Sequence, residues 1–351
     1  MTHLILTSSY TNDISTLAFD PANGTLELVS ATTVGHHPSW ITFYPGDHSL
    51  AFTGLEQTEG KVVALKYDED ERGTVVAEVP SGGADPCSLL ATMDELFVAN
   101  YSAGIVSKFP ISQNPPYILS SSPTTIQLKG SGPNASRQEG SHPHQVILHP
   151  EHNELLVPDL GADMVQRFKT AKDGSLKHRG HMQYARGGGP RHVAFHDGNL
   201  YTLLELSSVL VKHRFPPLPH LPSFVTSKPT MSKPLPQPND MLAAEILIPT
   251  TNSTYKTPYL YLSNRNDPSP EGDIISVFSL ADDSLELVTE FRSGLKHLRG
   301  MAFGGPDDKW LVAGGANGGG VKILERIDGG RNFKVVAENA SIEAPTGFLW
   351  K

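Results

Sequence analysis

The run Ser141-His142-Pro143-His144-Gln145-Val146-Ile147-Leu148-His149-Pro150, followed by residues 153–169, decides how the rest of the chain is read. It sets a short apolar strand, a turn, a second apolar strand (Glu154-Leu155-Leu156-Val157) and a third (Met164-Val165-Gln166-Arg167-Phe168) in one compact unit. Apolar runs this short, bounded by Pro, Gly and Asn turns, read as strands rather than helices. The same order recurs along the chain. Strands that open such units stand at Pro38-Ser39-Trp40-Ile41-Thr42-Phe43, Pro86-Cys87-Ser88-Leu89-Leu90, His144-Gln145-Val146-Ile147-Leu148 and Pro190-Arg191-His192-Val193-Ala194-Phe195. Three more stand at Ala243-Ala244-Glu245-Ile246-Leu247-Ile248, Leu298-Arg299-Gly300-Met301-Ala302-Phe303 and Pro345-Thr346-Gly347-Phe348-Leu349-Trp350. Seven openings spaced by roughly 46 to 58 residues match the period of four-stranded propeller blades.

Behind each of the first six openings a turn leads to a second strand, at residues 49–53, 95–99, 154–158, 199–204, 259–263 and 310–313. Third strands follow at 61–67, 105–109, 164–168, 208–215, 274–280 and 321–327. The seventh opening has no strands after it, whereas the N-terminus starts with three strands (4–8, 15–19, 26–33) and no opening. Docking residues 344–350 as the inner strand of the N-terminal blade closes the ring and removes its free edges. The expectation is an all-β, seven-bladed β-propeller forming a single domain over residues 1–351. Two stretches interrupt the period: a Pro/Ser/Gly-rich loop at 112–138 and a Pro-rich loop insertion at about 216–238. Proline at that density removes ladder donors and favours extended coil.

Composition agrees with a turn-rich β protein: 32 Gly and 28 Pro, with only 19% charged residues. A formal charge of −9 argues against a nucleic-acid partner, and no segment is apolar for long enough to enter a membrane. The single cysteine, Cys87, excludes an internal disulfide framework and a multi-Cys zinc site. With no signal-peptide pattern at Met1-Thr2-His3-Leu4, the expected compartment is the cytoplasm.

Blade geometry sorts the polar residues. The innermost strand starts at one face of the ring and the second strand ends back at that face, so their two ends share a rim. His142 and His144 begin the third opening, Arg191 and His192 the fourth, and Arg299 the sixth. Glu205, Asn264 with Arg265, Asn100 and Asp159 end second strands. Gathered around a channel, the arginines offer forked donors to a phosphate or carboxylate. A neighbouring His or Glu can move a proton near neutral pH. The plain alternative is that strand-end Arg and Glu pair with each other and that most of the 15 histidines serve packing or the surface. His149, His152, His178, His181 and His196, on turns or outer strands, belong to that class. His142 and His144 lack a carboxylate or Cys partner for zinc, so neither a metal nor a cofactor is expected. Gly187-Gly188-Gly189 and Gly318-Gly319-Gly320 follow no strand–helix unit and read as turns.

Four segments resemble the seven-bladed lactonase family, which includes propeller-type 6-phosphogluconolactonases and fungal carboxy-cis,cis-muconate cyclases. They are Gly130-Ser131-Gly132-Pro133 leading to His142-Pro143-His144-Gln145, Val157-Pro158-Asp159-Leu160-Gly161, Gly189-Pro190-Arg191-His192-Val193, and Ser263-Asn264-Arg265. The resemblance covers nearly the whole chain. By motif, the residues taken as functional in the cyclase branch fall on His144, Arg191, Glu205 and Arg265, the set that the rim also selects. Asn264 and the Gly-Pro-Arg-His run are similar to the lactonase branch. Leu204 before Glu205 is closer to the cyclase, and residues 266–273 form a longer loop than the compact lactonase turn. The resemblance implies hydrolysis of a small anionic sugar-type lactone. The alternatives are a lactone-forming muconate cyclase and a non-catalytic propeller scaffold. In the first reading Arg191 and Arg265 hold the anion and stabilise the oxyanion, while His144 or Glu205 is the base and His144 is favoured. His142, His192, Asn264, Arg299 and Asn100 line the substrate.

Overall fold

A computed structural model of the chain describes residues 1–236 and 239–351. Seven four-stranded antiparallel sheets form the fold. Blade one runs Pro38–Tyr44, Asp47–Leu55, Lys61–Tyr67 and Gly73–Pro80. Its second and third strands are buried almost without alternation (Leu50, Ala51 and Phe52; Val62, Val63, Ala64 and Leu65), because neighbouring blades cover both faces. The core is therefore a set of wedges between blades. Phe52 and Val62 of blade one pack on Leu89, Val98 and Phe109 of blade two. Truncating one such buried ring costs about 3–5 kcal/mol.

The ring closes as its sequence implies. Pro345–Trp350 is the inner strand beside His3–Ser9, with Leu6 opposite Leu349 and Ser8 opposite Gly347. Asp13–Asp20 and Thr25–Thr33 complete that blade.

Both interruptions hold more order than their composition suggests. Within 112–138, Thr124–Gln127 is the outer strand of blade two. Within 216–238, Ser223–Pro229 is the outer strand of blade four and pairs with Val209–Arg214. The span read as loop thus contains a strand. Residues 223–228 have no proline, so they keep the N–H groups that a ladder needs. Pro238 and Gln237 lie outside the described residues. The coil before that strand is held down by blade three. Arg167 donates to the carbonyls of His220 (3.1 Å) and Pro216 (3.0 Å), and Glu154 accepts from the Leu218 amide.

The expected opening strand at 144–148 narrows to Ile147–Leu148. Pro143 has no N–H to give, and the Val146 amide bonds the Ser88 hydroxyl in the neighbouring blade. The start of the unit still pairs, since the His144 amide donates to Pro158 O at 2.9 Å. Among the described residues, no helix is long and apolar enough to cross a membrane.

Candidate active site

Strand register builds the site. Pro38 lies opposite Leu55, Pro86 opposite Asn100, Pro190 opposite Leu204 and Leu242 opposite Arg265. First-strand starts and second-strand ends therefore meet at one mouth of the channel. Glu56, Tyr101, Glu205 and Arg265 come from the second-strand ends, Cys87 and Arg299 from first strands, and His144 from the segment just before one. With Arg137 from the loop before blade three they enclose a cavity of about 160 Å³.

Glu205 is the hub, with its side chain 1% exposed. Arg137 Nη2 reaches its Oε1 at 2.5 Å, while Arg191 Nε and Arg265 Nη2 each lie 2.9 Å from Oε2. The two contacts at Oε2 are close in distance but poorly directed. Oε2 and Arg191 Nε are left without an aligned hydrogen bond, as is Arg265 Nε. Burial opposes ionisation of Glu205, but Arg265, Arg191 and Arg137 outweigh it and hold its carboxyl at about 2. It is charged at neutral pH and a weak base. Burial, then Arg265 and Arg299, pushes Arg191 down to about 10, which leaves it cationic. Arg299 stacks on Tyr10 at 5.1 Å and stands 3.5 Å from Glu56. Four guanidinium groups thus surround two carboxylates, a local positive surplus in a chain of net charge −9.

His144 is buried, and its Nδ1 has no hydrogen-bond partner. Burial first, then Arg191, His192 and Arg299, holds its pKa well below 6.5. A neutral imidazole therefore stands among cations. Its ring meets His192 edge-on at 5.3 Å and Tyr101 edge-on at 5.6 Å. His192 lies beneath it, bonded through Nδ1 to Glu245 at 2.7 Å and edge-on to Trp40. This layer separates the charged mouth from a second, mainly apolar cavity of about 460 Å³ lower in the channel, lined by Leu89, Val146, Val193 and Phe348.

The structure brings together His144, Arg191, Glu205, Arg265 and Arg299, with His192 one layer below. Of these, His144, Glu205, Arg265 and Arg299 line the cavity, and Arg191 reaches it through Glu205; the remaining expected residues lie outside. His142 stacks flat on Tyr101 at 4.4 Å and bonds Tyr101 O and Glu139. Asn100 spends its amide on Ser81, Ser107 and the Ile105 carbonyl. Asn264 is taken up by Thr230 and Ser276. Asp159 caps its turn, accepting from Ser141, the His142 amide and the Ala162 amide. Among the described residues, no three His, Cys, Asp or Glu side chains converge as a metal site.

Glu56, Tyr101, Tyr10 and Arg137 are residues that the sequence reading does not select. The first three each follow a second strand directly, so the rim geometry, applied one residue further on, finds them. Arg137 belongs to an irregular loop and carries no local signal. Cys87 also lines the cavity, but burial pushes its thiol well up and keeps it protonated.

A family model described as a lactonase with a seven-bladed β-propeller matches residues 4–350. The chain is 25% identical to a protein of Arthroderma benhamiae named "Probable 6-phosphogluconolactonase", over 99% of this chain and 89% of that one. It is 32% identical to the 6-phosphogluconolactonase of Bacillus subtilis over 46% of this chain and 48% of that one. The solved structure of the periplasmic gluconolactonase of Pseudomonas aeruginosa shares its fold, with a TM-score of 0.83, 20% identity and coverage of 100% and 99%. A match from residue 4 to residue 350, on a ring of seven four-stranded sheets, means that the chain belongs to the lactonase family of seven-bladed β-propellers.

Proposed function

We propose that this protein hydrolyses a small anionic sugar-type lactone, of which 6-phosphogluconolactone is the model. The observation that carries the reading is the mouth cavity, where a positive surplus of guanidinium groups surrounds a neutral, unpartnered imidazole. The names of the relatives point to the same substrate class.

Arg265 lines the cavity and Arg191 stands behind it against Glu205; the Nε of each lacks an aligned acceptor, and these are the groups that hold the anion and the oxyanion. Water adds to the lactone carbonyl carbon, and His144 takes its proton. As the ring C–O bond breaks, the same imidazolium returns that proton to the leaving alkoxide, giving a free acid and a hydroxyl. Entry of an anionic substrate offsets the arginine field and raises the basicity of His144 when it is needed. Glu205, held at about 2, is suited to fixing three arginines rather than to accepting a proton. Proton transfer of this kind contributes about 10²–10⁴ in rate, and each oxyanion donor about 10²–10³.

The test is acid release from 6-phosphogluconolactone, followed with a pH indicator and compared with spontaneous hydrolysis. Acceleration proportional to protein concentration is expected. A rate equal to the spontaneous one rejects the reading.

A further inference from the structure

Resting on the lactonase reading, we infer that Glu56 is a specificity residue that accepts a hydrogen bond from a hydroxyl group of the substrate. The argument starts from acceptors. A polyhydroxylated lactone brings O–H donors into the cavity, whereas the arginines there offer only further donors. The Tyr101 hydroxyl already accepts from Arg137, which leaves three side chains with strong acceptor atoms. Glu205 Oε2 also lacks an aligned bond, but two guanidinium groups stand 2.9 Å from it and Arg137 holds Oε1, so three cations already cover this carboxylate. His144 is committed to the reacting water.

Glu56 differs from both. Its Oε2 is buried, has no hydrogen-bond partner, and has one cationic neighbour, Arg299, at 3.5 Å. That distance is beyond a good charge-assisted bond. A buried carboxylate oxygen left unmatched is costly, and a ligand O–H at that point removes the cost. Backbone placement makes the position firm: Glu56 follows the strand Asp47–Leu55, and its amide donates to His37 O at 2.9 Å. Arg299 in turn is braced by the Tyr10 ring, so the Glu56 side chain faces a fixed wall across the cavity from Glu205.

Two uncharged six-membered lactones separate this role from general electrostatics. Glucono-δ-lactone carries hydroxyls, and δ-valerolactone carries none. Removing the Glu56 charge changes the field for both alike, but only one loses a hydrogen bond. In Glu56→Ala, kcat/KM for the hydroxylated lactone should fall at least about tenfold more than for δ-valerolactone, the scale of one bond to a charged acceptor, and in Glu56→Gln, whose amide oxygen still accepts, the excess fall should be smaller. Equal falls for the two lactones, or no fall for either, overturn the assignment. Calorimetric binding supplies an arm independent of turnover. The same substitutions should weaken 6-phosphogluconate, the hydrolysis product, while sulfate binds as well or better because a negative charge is gone. Parallel changes for the two anions also overturn the inference, and melting curves identify a variant that fails to fold. A wild-type protein that leaves 6-phosphogluconolactone as well as these two lactones at the spontaneous rate rejects the lactonase reading, whereas the binding arm still decides the role of Glu56.

Discussion

Two buried arginine–glutamate clusters sit at opposite ends of the blades and end in opposite states. On blade three, Arg167 Nε and Nη2 grip Glu154 Oε2 at 2.9 and 2.7 Å, with both side chains at most 1% exposed. The other donors go to His220 O and Pro216 O, the second carboxylate oxygen accepts from Leu218, and the guanidinium lies over Phe215 at 4.4 Å. Every side-chain nitrogen and carboxylate oxygen of the pair has a partner. At the channel mouth, four guanidiniums meet two carboxylates, and Arg191 Nε, Arg265 Nε, Glu205 Oε2 and Glu56 Oε2 stay unmatched. A satisfied buried pair locks a loop. An unsatisfied one is prepared for a ligand whose charge and hydrogen bonds complete it.

The comparison can be broken by substitution. His144→Ala should lower kcat about 10²–10⁴-fold on 6-phosphogluconolactone with little change in melting temperature, since it removes the proposed proton carrier. Glu154→Ala should do the reverse. It strands Arg167 without its counterion and should cost about 3–5 kcal/mol in urea unfolding, while the turnover of the folded protein is retained. A Glu154 variant that stays stable, or a His144 variant that unfolds, would erase the distinction between the clusters. Arg265→Ala should reduce kcat/KM about 10²-fold, mainly through KM, because anion binding and a donor are lost together.

A smaller effect sharpens the same contrast through pH. Burial and the surrounding arginines hold His144 below 6.5, so the free protein keeps it neutral as pH falls through 6.5. The acidic limb of kcat/KM, corrected for spontaneous hydrolysis, should therefore lie below that value, and a limb centred at or above 6.5 contradicts it. Linkage has the same sign. Below pH 6.5 the unfolded chain takes a proton at this histidine that the folded chain refuses, so this position subtracts stability as pH drops. Glu205 contributes stability above the ordinary carboxylate value of 4.5, and loses it as pH falls towards about 2.

Strand alternation explains which part of the site was legible. Asn100 and Asn264 were expected at the rim and do stand there, but each precedes by one residue the side chain that enters the cavity, Tyr101 or Arg265. Successive side chains point to opposite faces, so a one-residue offset turns an amide into the sheet while its neighbour faces the channel. Strand ends cannot be placed to one residue from composition alone. His142 shows the same limit, since it stacks on Tyr101 and does not line the cavity.

By itself the sequence determined the seven-fold repeat, the closure of the first blade by the last strand, and the convergence of His144, Arg191, Glu205 and Arg265. All of these follow from apolar period, turn residues and the direction in which a blade's strands run. Only the tertiary structure decided that Arg137 reaches from a loop to Glu205, that Glu56 faces the cavity with an oxygen unmatched, and that Ser223–Pro229 is a strand. The physical reason is range. Local patterns are set by neighbours in the chain, whereas the charge state and hydrogen-bond balance of a cavity are set by groups that meet only when seven sheets close into a ring.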